Sequence, residues 1–369
     1  MFRYFQLIVI TAVFLGNCQS GSQTEEDQTL VWMPEASNEW EIATPQEVSI
    51  DQSRLNITYQ RAAELGHLKS LLVVRNGLLV GEAYFQGIRS HQNHDVRSVT
   101  KTVMGLLIGK AIELNLIDST DVAIGPFFTD RIPDLSEEKQ NITIGQLLTM
   151  TAGFQWDESS SSGYTDWATS ADPIGFVLNR PLESEPGQTF RYNSGAVHLL
   201  SAILSAATGQ STLAFAQDHL FEPLGISNLY WEQLADGNYN GGAGLDLRPR
   251  DMAKLGVLLL NEGIWGGEQV ISSSWIRQAA QPTRQTAGTY GPIQNINYGY
   301  LWWLGHAQSN DLQLAWGWGG QFIVTIPSLD LCLITTSNWQ IGGSQANNQE
   351  TANLNLLVNE LLPGVHINQ

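Results

Sequence analysis

The sequence predicts an α/β fold of the α+β kind, one antiparallel β-sheet flanked by helices with a mostly helical region inserted into it. Two observations predict it. Strand signals gather near both ends of the chain, and the middle, from about residue 114 to residue 281, reads as helices and loops. The natural arrangement is a single sheet built from both ends, drawn from about residues 46–125 and 285–369, with the helical region at about 126–284 lying on it. Residues 1–18 and 19–45 read as an export signal and a linker ahead of this domain, which spans 46–369. A chain of 369 residues can bury a substantial core.

At the start, Arg3 precedes an almost wholly apolar run from Phe5 to Leu15, the length of a secretory signal core and too short to span a bilayer. Leu15-Gly16-Asn17-Cys18 follows, which looks like a bacterial lipoprotein cleavage site with Cys18 as the lipidated residue. Asn17 stands where a small residue is usual, and the alternative is an ordinary signal peptide with an incidental cysteine. Either way the expected location is outside the cytoplasm, and the favoured reading is a periplasmic or outer-membrane lipoprotein attached through Cys18. Residues 21–38 are polar and acidic. Residues 53–65 have helical spacing. Leu71 to Tyr84 carries a hairpin signal, with Asn76-Gly77 as its two-residue turn. The apolar residues after Ser98 (Val99, Val103, Leu106, Leu107, Ala111 and Leu114) predict a buried helix.

Thr143-Ile144-Gly145-Gln146 is a capping-box pattern. An apolar helix is predicted from Ala196 to Ala207, stopping at Gly209, and others over 252–260 and 275–280. Strands are predicted over 298–304, 312–316, 321–326 and 331–336, and a final helix over 353–362.

Eighteen basic against 36 acidic residues give a formal net charge of -18. A phosphate backbone would be repelled, which argues against nucleic-acid partners. Two cysteines are present, and Cys332 lies in an apolar run that predicts a buried thiol. With Cys18 lipidated or removed, no disulfide can form.

The chemistry centres on Ser98 and Lys101. Three residues apart on one helix, they share a face one turn from each other. A serine hydroxyl is a weak nucleophile until a base takes its proton. Burial and the positive end of a helix can lower a lysine pKa enough for that work. Ser136-Glu137-Glu138-Lys139 has the same spacing, but in a charged stretch with no apolar helix behind it, and reads as a surface turn. A helix-start serine is the bland reading of Ser98. For Tyr192 it is a turn tyrosine, for Ser194 a helix cap, and for Trp316 and Trp318 core aromatics. His91 and His94 stand in a polar loop without metal-ligand spacing, and no metal or cofactor is expected. No Gly-x-Ser-x-Gly elbow supports a different serine-hydrolase fold.

Several stretches taken together go further. They are Ser98-Val99-Thr100-Lys101; Thr143 to Phe154; Phe190 to Gly195 around Tyr192; Gly241 to Leu260 with Asp246, Arg248, Pro249 and Asp251; and Trp316-Gly317-Trp318-Gly319-Gly320-Gln321. In this order, from about Val48 onward, they resemble the serine β-lactamase-related hydrolases. The resemblance is strongest to the branch holding class C β-lactamases, esterases and penicillin-binding-protein-like members. It implies the fold already read, and it implies roles. Ser98 would be the acylated nucleophile, Lys101 would hold and exchange its proton, and Tyr192 would be a second base, its pKa lowered by the neighbouring ammonium. The oxyanion hole would be the Ser98 N–H and one from Gly320 or Gln321. Ser194, Trp316, Trp318 and Gly319 would touch substrate.

Two departures bear on the substrate. The second motif, usually Tyr-x-Asn, is here Tyr192-Asn193-Ser194. The third lacks its lysine, which removes the cation that meets a substrate carboxylate, with Arg191 as a candidate replacement. The expectation is a hydrolase of small esters or amides, esterase-like and preferring neutral or apolar acyl groups. The alternatives are a non-catalytic peptide binder on the same fold, a β-lactamase, or a D-amino-acid peptidase.

Overall fold

The computed structural model describes residues 32–366; the export signal and Cys18 lie outside them. Helix α1 (Gln52–Glu64) leads into strands β1 (Leu68–Arg75) and β2 (Leu78–Tyr84), joined at Asn76-Gly77, both with positive φ as such a turn requires. The two-residue strand β3 (His94–Asp95) precedes α2 (Val99–Glu113). The inserted region contains α3 (Ile144–Leu148), whose capping box between Thr143 and Gln146 is formed on both sides, and α4 (Ser194–Thr208), which ends at Gly209 with φ 69°. Strands β4 (Tyr230–Trp231) and β5 (Leu245–Leu247) then join β3 in a small sheet of order β3-β5-β4. Helix α5 (Pro249–Leu260) and α6 (Ser273–Ala279) follow.

The rest returns to the main sheet: β6 (Arg284–Tyr290), β7 (Ile293–Tyr298), β8 (Trp303–Ala307), β9 (Asn310–Gly317), β10 (Gln321–Ile326) and β11 (Leu331–Ser337), then α7 (Gly343–Asn355). The order is β2-β1-β11-β10-β9-β8-β7-β6, every neighbouring pair antiparallel. Both ends of the chain therefore meet within one sheet, at β1 against β11 near one edge, and the single sheet built from both ends is the one the sequence predicts.

Alternation along β1 separates the two faces. Leu72 and Val74 join the large core that α2 and α5 fill. Tyr59 of α1 lies across the sheet end at Gly81, its hydroxyl donating to the Leu71 carbonyl at 3.4 Å. Between α5 and the sheet, a Cβ on Gly256 would collide with Cys332, so that glycine lets helix and strand touch. Cys332 is the buried thiol expected, and burial pushes its pKa well above the usual range.

Four elements differ from the sequence reading. Residues 32–45 are folded, not linker: Trp32 is buried, stacks on Tyr59 at 5.3 Å and donates to Asn56 Oδ1 at 2.8 Å. Two tryptophans among acidic residues make no periodic pattern, so local sequence hides this. The apolar run 298–304 is broken, because Leu301 takes φ 61° and its N–H and C=O are held by Leu148 and Thr102. Strand β6 is polar at the sheet edge and carries no apolar alternation. Helix α7 begins ten residues before Asn353, in polar turns that include Asn347 and Glu350.

Candidate active site

The backbone before Ser98 is clamped by the small sheet and by the Asp95 carboxylate. Asp95 pairs with Asp246 in the small sheet, Val96 N–H donates to Leu245 C=O at 2.9 Å, and Asp95 Oδ1 accepts from Arg97 N–H at 2.8 Å. Arg97 takes φ 51°, an uncommon conformation for a non-glycine residue, and Ser98 follows as the cap of α2. Lys101 lies one turn on and is 1 % exposed. Its Nζ donates to Ser98 Oγ at 2.8 Å and to Gly242 C=O at 2.7 Å.

That carbonyl is held in turn. Asn240 Oδ1 accepts from the N–H groups of Gly242 and Ala243, and a Cβ on Gly242 would collide with Ser194. Burial lowers the Lys101 pKa to about 7; the charge of Glu158 opposes the shift and that of Arg97 adds to it.

Tyr192 meets this pair from the start of α4. Its ring stacks on Trp303 at 5.7 Å, Lys101 Nζ lies 4.7 Å from the ring centre, and its hydroxyl shares a hydrogen bond with Ser98. The expected lowering of its pKa does not occur. Burial first, then the charge of Glu158, push it above the ordinary phenol range, with the Ser98 bond opposing. Lys101 sits over the ring face, so its cation is badly placed to stabilise a phenolate oxygen. Asn193 is used as the α4 cap, accepting from Ala196 N–H at 2.9 Å. Ser194 is fully buried and faces away from substrate: its hydroxyl donates to Glu158 Oε1 and its N–H to Glu158 Oε2. Arg191 pairs with Glu183 at 2.5 Å on the surface and supplies no charge to the site.

The opposite wall comes from the end of β9. A Cβ on Gly317 would collide with the Val96 carbonyl, so β9 runs directly against the backbone ahead of Ser98. Trp316 and Trp318 line the cavity with Trp303. Gly319 N–H donates to Glu350 Oε1 at 2.8 Å and Gly320 N–H to Gly317 C=O at 3.2 Å. Gln321 pairs with Gly317 in the ladder, and its buried amide bonds the Trp318 and Ser337 carbonyls. The Gly320 N–H is therefore taken by the turn, contrary to the oxyanion role expected of it, whereas no protein acceptor holds the Gln321 N–H among the bonds of this turn. Among the described residues, the N–H groups of Ser98 and Trp318 have no protein acceptor.

A cavity of about 470 Å³ opens between these walls. It contains Ser98 and Tyr192, and also three charged residues that the sequence reading did not single out: Arg97, Glu158 and Glu350. Glu158 accepts from Trp156 Nε1 at 2.6 Å besides Ser194. Glu350 accepts from the Tyr290 hydroxyl at 2.7 Å, and burial pushes its pKa up. Both glutamates lie in polar stretches whose place in the fold no local pattern gives. Arg97 was within reach, standing next to Ser98.

A serine and a buried lysine at hydrogen-bond distance, on the first turn of a core helix beside an antiparallel sheet, define a serine-hydrolase type of site. The family model Beta-lactamase matches residues 69–357, and the chain belongs to that family. The 6-aminohexanoate-dimer hydrolase of Paenarthrobacter ureafaciens is 23% identical over 294 residues, covering 73% of this chain and 72% of its own. Among solved structures, a Bacillus anthracis protein provisionally assigned as a 6-aminohexanoate-dimer hydrolase has a TM-score of 0.71 at 21% identity, covering 89% of each chain. A family VIII carboxylesterase has a TM-score of 0.62 at 16% identity, covering 82% of this chain and 97% of its own. The fold is thus shared with amide and ester hydrolases.

Proposed function

We propose that this protein hydrolyses small amides and esters through an acyl-enzyme on Ser98. The observation that carries the reading is the buried Lys101 amine at 2.8 Å from Ser98 Oγ, with a pKa lowered to about 7. At neutral pH a large fraction of Lys101 is unprotonated, so Nζ can take the Ser98 proton as Oγ attacks the carbonyl carbon. The developing oxyanion would be met by the Ser98 and Trp318 N–H groups. Tyr192, kept as a phenol, would pass the proton from Lys101 to the leaving group. Water would then be deprotonated by the same route and release the acid. The tryptophan wall suits an apolar acyl chain. Relatives whose names carry an amide and an ester both support a reaction of this range.

The test is intact mass after incubation with a fluorophosphonate. One adduct is expected on the unaltered protein and none on Ser98→Ala. An adduct that survives in Ser98→Ala removes Ser98 from this role, and no adduct on either favours a ligand-binding protein on the same fold.

A further inference from the structure

We infer that Arg97 binds a carboxylate carried by the substrate. The inference rests on Ser98 being the nucleophile, and it narrows the substrates of that site to acids. Arg97 lines the cavity immediately beside Ser98, and among the described cavity-lining residues it is the one lysine or arginine. Its side chain is held in place: Nη1 pairs with Asp95 Oδ2 at 3.0 Å, and its guanidinium carbon lies 4.7 Å from the Trp339 ring centre and 5.5 Å from that of Tyr164. Its hydrogen bonding is incomplete. Nε is buried without a partner, and Nη2 has none among the described residues. Because Nε is fully buried, Nη2 is the group left to donate a charge-assisted bond to a carboxylate.

The neighbouring charges leave that role to Arg97. Glu158 and Glu350 are acidic side chains that accept from fixed donors (Trp156 and Ser194; Gly319 and Tyr290), Asp95 and Glu232 also act on Arg97, and both Lys101 bonds go to Ser98 and Gly242. The third motif has tryptophan and glycine where a cation would otherwise stand, so a carboxylate entering this cavity meets its counter-charge at Arg97. The φ of 51° accompanies the turn closed by Asp95 Oδ1 on the Arg97 N–H.

Two matched ester pairs test this, one with the acid in the acyl half and one with it in the leaving half. They are mono-p-nitrophenyl glutarate against p-nitrophenyl valerate, and 4-(valeryloxy)benzoate against phenyl valerate, each rate divided by its alkaline hydrolysis rate. In at least one pair kcat/KM should favour the acid about tenfold or more, and added salt should shrink the preference. Arg97→Gln should lower that acid-to-neutral ratio about tenfold, and Arg97→Lys should leave it in between.

No preference for either acid in the unaltered protein overturns the inference without recourse to a variant. So does a ratio unchanged in Arg97→Gln, because an arginine that only balances Asp95 would lower both rates alike. Turnover of the neutral esters without acid preference leaves the hydrolase reading standing. No Ser98-dependent turnover of any of the four esters overturns both.

Discussion

The two walls of the cavity are built on different principles. The Ser98 wall is made of near neighbours in sequence on a core helix. Lys101 is one turn from Ser98, and the Gly242 carbonyl that steadies it is fixed by Asn240 and by close packing on Ser194. The facing wall is gathered from afar: Glu158 on a loop, Trp303 and Trp318 at strand ends, Glu350 on α7. The first wall has closed hydrogen bonding and little room for change. The second holds a half-exposed tryptophan and two carboxylates from separate segments. Reaction chemistry needs angstrom-scale placing, which a helix turn provides. Substrate choice tolerates variety, and here it is carried by side chains from separate elements.

The sharpest way to break this comparison is at Lys101. Lys101→Met should lower kcat/KM roughly a thousandfold, the size of a lost general base. It should also raise Tm at neutral pH. In the folded chain the lysine pKa is depressed to about 7, from about 10.5 when unfolded. The unfolded chain then binds more protons between those values, so stability rises as pH climbs through that window and is lowest below it. Methionine removes the buried amine and that dependence with it. A variant that melts lower and keeps most of its activity would show that the amine serves the fold alone. The same pKa sets the pH profile of the unaltered protein. The value of kcat/KM should rise with pH through about 7 and level off above it, because only neutral Lys101 accepts the Ser98 proton.

Glu158 joins the two walls, and Glu158→Gln should sharpen the distinction between them. Its carboxylate raises the Lys101 pKa against the effect of burial. Removing that charge should move the rising limb of the profile to lower pH. A glutamine also cannot accept from Ser194 and Trp156 as three fixed donors require, so unfolding in urea should show a loss of about 1–3 kcal/mol. A limb that stays in place would mean that the walls are electrostatically independent.

This division matches what the sequence makes legible. The sheet built from both chain ends, the hairpin turn, the capping box and the Ser98–Lys101 spacing are all local patterns, and each is present in the structure. The resemblance placed Tyr192 in the same cavity. What local sequence could not give were contacts between distant segments. Ser194 turns inward because Glu158 arrives from a polar loop, and the Gly320 N–H is held by its own hairpin. Glu350 reaches the cavity because α7 begins in residues with no apolar period. The direction of the Tyr192 pKa also depends on burial and on where Lys101 sits over its ring, neither of which spacing reveals.

The smallest effect should come from the facing wall itself. Trp318 is 38 % exposed where it lines the cavity, while its backbone N–H has no protein acceptor among the described residues. Trp318→Ala removes the ring and keeps the N–H. Losing about 1 kcal/mol of apolar contact should cut kcat/KM about fivefold for a long acyl chain, through KM, with a smaller change for an acetyl ester. Equal loss in kcat for both chain lengths would instead mean that the ring holds the backbone N–H in position. The facing wall would then belong to the chemistry as fully as the wall of Ser98 does.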